Sequence, residues 1–354
     1  MIDFTSSLYL AMKHESAELL KWSQLTTGVP AALYEPKQSK KISLTIAQMQ
    51  GLEMGCLAPS TLHLYWGLYG FLSNQKITVF IDEKAYPVSR YGVERLSVKK
   101  VPVYLFNHLN ANHLAELIKG KLQKYSTPIV ITDGWCTQCG QIAPIEDYAK
   151  LVSPLGGNII IDDTQAFGIL GEKITNAMYG NGGGGTLKWL NVSNPCIISI
   201  ISLAKGFGVP MAVLSGNKTF ISQLIENSET RVTSSPVSIA HICAGINALS
   251  INCASGDQRR RKLLTNVFLL KKAISQSGIQ LRGGIFPVQC TCNLKPDKSR
   301  KLFEKLKTNG IKTVLVSGHD TSCPVLCFLI NCNNEEEEFQ VLLSTLQKNT
   351  SVLT

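Results

Sequence analysis

Short β-branched, apolar runs recur along the chain with amphipathic helical stretches between them, and this alternation constrains the fold more than any other feature. Residues 77–82 (ITVFID), 101–106 (VPVYLF), 128–132 (PIVIT), 158–162 (NIIID) and 196–200 (CIISI) each read as a strand buried on both faces. Between them, HLAELIKGKLQKY and IEDYAKLVSPL carry helical spacing. A strand that is apolar on both sides needs cover on both sides. The pattern therefore predicts an α/β fold in which helices enclose a mostly parallel sheet.

The texture changes after Pro236. Two long helices, SIAHICAGINALS and DQRRRKLLTNVFLLKKAIS, are followed by a strand-like FPVQCTC, a helix around Lys298 to Lys307, a strand VLCFLI and a last helix. Glu335 to Glu338 open that last helix, where carboxylates suit the positive end of the helix dipole. The expected division is an N-terminal segment over 1–40, a large α/β domain over 41–235 and a smaller C-terminal α+β domain over 236–354. No internal repeat is visible.

At 354 residues, 44% apolar and 17% charged, the chain can bury a substantial core. Its net charge of +10 is scattered. The one basic cluster, Arg259-Arg260-Arg261-Lys262, reads as the solvated face of a helix, so nucleic acid is not an expected partner. A mildly basic surface suits a polyanionic substrate such as a coenzyme A thioester. The start, MIDFTSSLYLAMKHE, does not read as a secretory signal, and CIISIISLA is too short to cross a bilayer, so a cytoplasmic protein without a membrane partner is expected. The 11 cysteines lack framework spacing and read as reduced thiols, many packed as small apolar residues.

Several stretches carry possible chemistry. GWCTQCGQIAPI, from Gly134, follows a strand and leads into a helix, the layout of a thioredoxin-type redox site; its cysteines also admit a loop serving other chemistry. A zinc site from Cys136, Cys139, Cys290 and Cys292 is disfavoured by the Cys-x-Cys spacing of the second pair. IIIDDTQAFG ends a buried strand in Asp162 and Asp163, one of which can cap the next turn while the other meets a ligand. The following strand delivers Lys205 in SLAKGFG, where partial desolvation lowers an amine's pKa and leaves it nucleophilic. A strand-end aspartate beside a strand-end lysine matches a pyridoxal phosphate (PLP) site, the lysine binding the aldehyde and the aspartate holding the pyridine nitrogen protonated. Ser60 and Thr61, opening the run LHLYWGLYGFL, offer a phosphate cradle, and Tyr86 offers an aromatic face.

With these pieces in order the chain resembles the α-oxoamine synthases of the fold type I, aspartate aminotransferase-like PLP enzymes, a group that includes 8-amino-7-oxononanoate synthase and serine palmitoyltransferase. FTSSLYL, FNHLNANHL, IIIDDTQAFGILGE and SLAKGFG carry the likeness, which runs nearly end to end. The resemblance implies that Lys205 forms an aldimine with PLP, Asp162 partners the pyridinium, Ser202 lies near the phosphate and Ser234 reaches the phosphate of the neighbouring subunit. It thus implies a homodimer with the active site at the subunit interface. It also implies decarboxylative condensation of an amino acid with an acyl-CoA or other acyl thioester; an aminotransferase or lyase acting on a different amine, or a PLP-binding protein with lost activity, are the alternatives.

The chain departs from the family at four places. Tyr86 replaces the ring-stacking histidine, Gln165 a second histidine near the cofactor, Ser7 an asparagine, and Cys327 the arginine that clamps the amino-acid carboxylate. By the same resemblance, Asp133 and Thr137 in TDGWCTQC become the cofactor-facing residues, while Cys136 and Cys139 become neighbours without a redox role. The resemblance likewise implies that the glycine run NGGGGT, Asn181 to Thr186, is a turn or flap close to the cofactor.

Overall fold

The computed structural model describes residues 1–137, 139–317 and 324–348. The chain divides into two compact units: one formed by residues 13–135 and 142–254, the other by 1–12, 136–141 and 255–354.

The larger unit is built on a seven-stranded sheet. Its strands are β1 (Met54–Ala58), β2 (Ile77–Asp82), β3 (Val103–Phe106), β4 (Thr127–Asp133), β5 (Asn158–Asp162), β6 (Ile197–Ser202) and β7 (Ala212–Gly216), in the spatial order β1-β7-β6-β5-β4-β2-β3. All five strands expected from the apolar runs are present and mutually parallel. The two that complete the sheet, β1 and β7, are not evident from those runs; β7 lies antiparallel to both β1 and β6. The fold is the fold type I arrangement, a mostly parallel sheet covered on both faces.

Each face has its own core. On one, the helix Thr61–Leu72 packs Leu64, Tyr65, Leu68 and Leu72 against Val79, Ile131, Ile160 and Ile200. On the other, Leu114 and Ile118 of the helix Ala111–Lys121 and Tyr148 and Val152 of the helix Ile145–Val152 cover Phe80, Val130, Ile159 and Ile161. Alternate residues of one strand thus serve opposite cores, which is why these strands read as continuous apolar runs rather than as alternating ones.

The parallel strands all point their carboxyl ends the same way. Asp82, Asp133, Asp162 and Ser202 are each the last residue of their strand, and Asp133 is in register with Asp162. Carboxyl ends of an open parallel sheet are where such folds bind ligands. The run NGGGGT forms a turn tied to the segment after β5: Gly183 O accepts from Gly168 N (2.8 Å) and Gly185 N donates to Leu170 O (2.7 Å).

The smaller unit carries a four-stranded antiparallel sheet of β8 (Leu281–Arg282), β9 (Val288–Thr291), β10 (Val314–Ser317) and β11 (Pro324–Leu329), ordered β8-β9-β11-β10. Helices Pro296–Thr308 and Glu336–Lys348 accompany it. At the start of the second, Glu338 Oε2 accepts from Glu335 N (3.3 Å), a self-capped opening for the acidic run.

Two expectations are corrected. The two helices expected after Pro236 are one continuous helix, Ile239–Ser275. The basic cluster on it is not simply a solvated face: Arg260 is buried and bonds Asp257 at 2.6 Å, and Arg259 donates to the carbonyls of Leu10 and Ala11. Only Arg261 and Lys262 of the four are exposed.

Candidate active site

The adjacent aspartates at the end of β5 divide their duties. Asp163 is fully buried and accepts from the backbone N–H of Thr186 (2.9 Å) and from its hydroxyl (2.5 Å). It thereby anchors the end of the glycine turn. Burial, and secondarily the Asp162 charge, pushes the Asp163 carboxyl up to about 7, against the lowering effect of the two Thr186 bonds. Asp162 instead accepts from Tyr65 Oη at Oδ2 (3.1 Å) and from Thr164 N at Oδ1 (3.1 Å). Two donors fix the direction of its carboxylate.

Lys205 lies three residues beyond β6, in the turn SLAKGFG. Burial lowers its amine pKa, and the Asp162 and Asp133 carboxylates oppose that by favouring the ammonium form. Its Nζ stands 5.4 Å from the centroid of the Tyr86 ring. Tyr86 is the residue just before the helix Pro87–Val98, and its N–H donates to Asp133 Oδ1 (3.1 Å), so one carboxylate both biases Lys205 and holds the tyrosine loop. The structure therefore gathers Lys205, Asp162, Asp133 and Tyr86 at the sheet's carboxyl edge.

The remaining expected residues are placed as follows. Ser202 ends β6; its N–H donates to Thr164 Oγ1 (3.0 Å), joining the turns after β5 and β6. Gln165 is partly buried in the turn after Asp163. Ser60 precedes the helix Thr61–Leu72, but its hydroxyl meets His63 Nδ1 (2.9 Å) instead of capping the helix backbone. The first-turn N–H groups of that helix are consequently left without a side-chain cap from Ser60, as an anion site requires. Ser234 follows the short helix Glu229–Thr233 and its hydroxyl donates to the Thr230 carbonyl. Thr137 belongs to the smaller unit, and its assignment rests on the resemblance alone.

Two participants escape a sequence reading. Tyr65 sits inside an apolar helical run and reads as core, and burial, with Asp162 nearby, raises its phenol pKa strongly, so it stays a neutral donor. Thr164 is hidden in DDTQ, where its backbone and hydroxyl both serve the site.

The thioredoxin-like layout is not what the structure shows. Cys136 N donates to Gln141 O (2.9 Å), Gly140 N donates to Cys136 O (2.9 Å), and the following helix begins only at Ile145. Neither cysteine stands at a helix start, the position that lowers a thiol pKa in that layout. Cys327, which the resemblance aligns with an arginine, is 1% exposed within β11 and presents a thiol rather than a cation.

The donor set suits PLP. An amine depressed by burial, a carboxylate held by two donors, an aromatic face near the amine and an uncapped helix start supply one partner each for its aldehyde, ring nitrogen, ring face and phosphate.

No protein-family model matches the chain. Among curated relatives, the 8-amino-7-oxononanoate synthase of Petrotoga mobilis is 24% identical over 276 residues, covering 78% of this chain and 67% of the relative. That of Coprothermobacter proteolyticus is 27% identical over 270 residues, covering 75% of this chain and 65% of the relative. The matched region thus spans about two thirds of these relatives' length. Among solved structures, serine palmitoyltransferase of Sphingomonas wittichii superposes with a TM-score of 0.86 at 15% identity, covering 99% of this chain and 88% of that one. An 8-amino-7-oxononanoate synthase from Francisella tularensis gives 0.75 at 17% identity, covering 99% and 98%. The fold and the strand-end cluster define a fold type I protein. Within that class, the chain is related to the α-oxoamine synthases.

Proposed function

We propose that this chain is a PLP-dependent transferase of the α-oxoamine synthase type, condensing an amino acid with an acyl thioester and releasing the amino acid's carboxyl group. The observation that carries the reading is Lys205 Nζ, lowered in pKa by burial, set beside Asp162 and over the Tyr86 ring at the carboxyl edge of a parallel sheet. Bound PLP supplies an aldehyde that ties the amine of the substrate and a ring that withdraws electrons from its Cα.

The chain's own residues do the rest. Lys205 would hold the cofactor's aldehyde, and its Nζ would accept the substrate's Cα proton; a depressed pKa keeps the free amine available for that task. Asp162, oriented by Tyr65 and Thr164, pairs with the protonated ring nitrogen. Tyr86 would offer its face to the cofactor ring, at the position where the resemblance places a histidine, and Asp133 fixes its loop. Ser60, Thr61 and the helix start they introduce take the phosphate together with Ser202, and Ser234 from a second copy of the chain completes that grip in a homodimer. Gln165 would border the ring. Among the described residues, no helix is long and apolar enough to cross a membrane, and we assign the enzyme to the cytoplasm.

The test is spectroscopic and then catalytic. Purified protein supplied with PLP is expected to absorb in the visible region, to bleach on borohydride treatment and to carry the reduced label on Lys205 in a peptide map. Amino-acid-dependent release of free thiol from an acyl-CoA panel then identifies the transfer. Protein that never gains visible absorbance overturns the cofactor assignment; a coloured protein that releases no thiol with any pair overturns the acyltransfer.

A further inference from the structure

The sheet of the smaller unit places two cysteines opposite each other. In the antiparallel pairing of β9 with β11, Cys290 is in register with Cys327, and each is 1% exposed. Directly opposed residues of antiparallel strands have Cα atoms about 4.5–5.5 Å apart. A disulfide spans Cα separations of about 4.4–6.8 Å, so this register needs no strand movement to be bridged. Both cysteines are unbridged in the structure, and the Cys327 thiol donates to the Val325 carbonyl (3.9 Å).

The row continues on the other side of Cys290. Arg282 of β8 is its register partner, and among the described residues the buried Nε of that guanidinium has no hydrogen-bond partner. A cation in the neighbouring position favours the thiolate of Cys290 over that of Cys327, which lies one strand further away. The direction is consistent: the neighbouring Cys327 thiol, then Arg282, lower the Cys290 thiol against its burial, while the neighbouring Cys290 and burial raise Cys327. One sulfur is prepared as nucleophile and its neighbour as the thiol that resolves it.

We propose that Cys290 and Cys327 are a peroxide-oxidisable dithiol, with Cys290 the attacking sulfur, Cys327 the resolving sulfur and Arg282 the positioning cation. The Cys290 thiolate attacks one oxygen of a hydroperoxide, the O–O bond breaks, and hydroxide leaves as Cys290 becomes a sulfenic acid. Cys327 sulfur then attacks Cys290 sulfur; the S–O bond breaks, the Cys327 proton leaves with the hydroxyl group as water, and the disulfide forms. Two thiols and one hydrogen peroxide thus give one disulfide and two waters. A small neutral oxidant suits a pair this buried, and a bulky disulfide reagent does not.

The full-length protein is treated with hydrogen peroxide under native conditions and mapped by non-reducing peptide mass spectrometry. A Cys290–Cys327 linked peptide, lost on dithiothreitol treatment, is expected, with circular dichroism unchanged. In Cys327→Ser, dimedone should capture sulfenic acid at Cys290; in Cys290→Ser it should capture none at Cys327; and Arg282→Gln should slow linkage several-fold while moving its pH midpoint upward. Should either serine variant fail to fold, the Cys253→Ser/Cys292→Ser variant, which removes two exposed thiols, must still form the same link. Complete oxidation of Cys253 and Cys292 with no Cys290–Cys327 link overturns the proposal, as does linkage of Cys290 to the buried Cys136. An unchanged rate and pH midpoint in Arg282→Gln overturns the role given to the arginine.

Discussion

Thr186 donates both its backbone N–H and its hydroxyl to Asp163, a carboxyl group with no exposure to solvent. Two donors from one residue do not offset full burial, so the group titrates near 7 in the fold against 3.8 for the unperturbed side chain. The folded state therefore binds the proton more tightly than the unfolded state. Stability linked to this group is fully present below its unfolded pKa and is lost as pH rises through about 7. Asparagine is isosteric with the protonated acid: its oxygen accepts from Thr186 N and its amide donates to the hydroxyl. Asp163→Asn is expected to be at least as stable as wild type at pH 8 and to flatten the decline in urea midpoint between pH 5 and 8. A variant that loses stability equally at both pH values would mean that the ionised carboxylate is what the fold needs.

Gly185 makes that arrangement possible. Its φ is +84°, and a Cβ there would stand 2.1 Å from Asp163 Oδ2, with Phe167 beyond. Gly182, in the same turn at φ +82°, has open space where a Cβ would stand, with no described atom within 4 Å. Alanine at either site meets backbone strain of about 1 kcal/mol. Only at Gly185 does it also displace a buried carboxylate from its donors, which adds roughly 1–3 kcal/mol. Urea denaturation should rank the variants Gly182→Ala above Gly185→Ala; equal losses would show that Asp163 has room to retreat.

The difference between what can and cannot be read from the chain has the same physical origin. Lys205 and Asp162 are legible because Asp162 ends one apolar strand and Lys205 closely follows the end of the next, and in a parallel sheet adjacent strand ends meet. Tyr65 is not, since its hydroxyl reaches Asp162 only when the helix Thr61–Leu72 lies across the sheet, and in the sequence it is one aromatic among many. The strands β1 and β7 lack the long β-branched runs of their neighbours, Gly55 and Gly216 among the reasons. Ser255-Gly256 suggests a break between two helices, yet a glycine in a helix costs only about 1 kcal/mol, and the helix Ile239–Ser275 runs through it. Arg260 looks solvated in the sequence because its burial depends on Asp257 one turn earlier.

Tyr86 is 42% exposed and its ring, not its hydroxyl, is what faces Lys205. If Tyr86 stands where the resemblance places a histidine, its ring still offers the cofactor an aromatic platform. Aromatic stacking contributes about 0.5–1.5 kcal/mol. Tyr86→Phe is expected to retain PLP affinity within a factor of about two, and Tyr86→Ala to weaken it roughly five-fold on that scale. Equilibrium titration followed by cofactor absorbance separates the two; equal weakening would transfer the role to the phenol oxygen.

Lys205 is subject to opposed influences, and their balance is measurable without any cofactor. Burial drives its pKa below the ordinary 10.5, while Asp162 and Asp133 drive it back up. Because burial dominates, more of the free amine is present at neutral pH than for a surface lysine such as Lys150, whose own pKa is raised by Glu146. Competitive acetylation of the cofactor-free protein, read residue by residue across pH, should give Lys205 a midpoint below those of the exposed lysines. Asp162→Asn removes an attraction that favours the ammonium form, so the midpoint should fall further. Asp133→Asn should move it the same way but less, Asp162 being the stronger of the two influences. A rise in either variant would mean that the carboxylate acts on Lys205 chiefly by ordering its surroundings rather than through its charge.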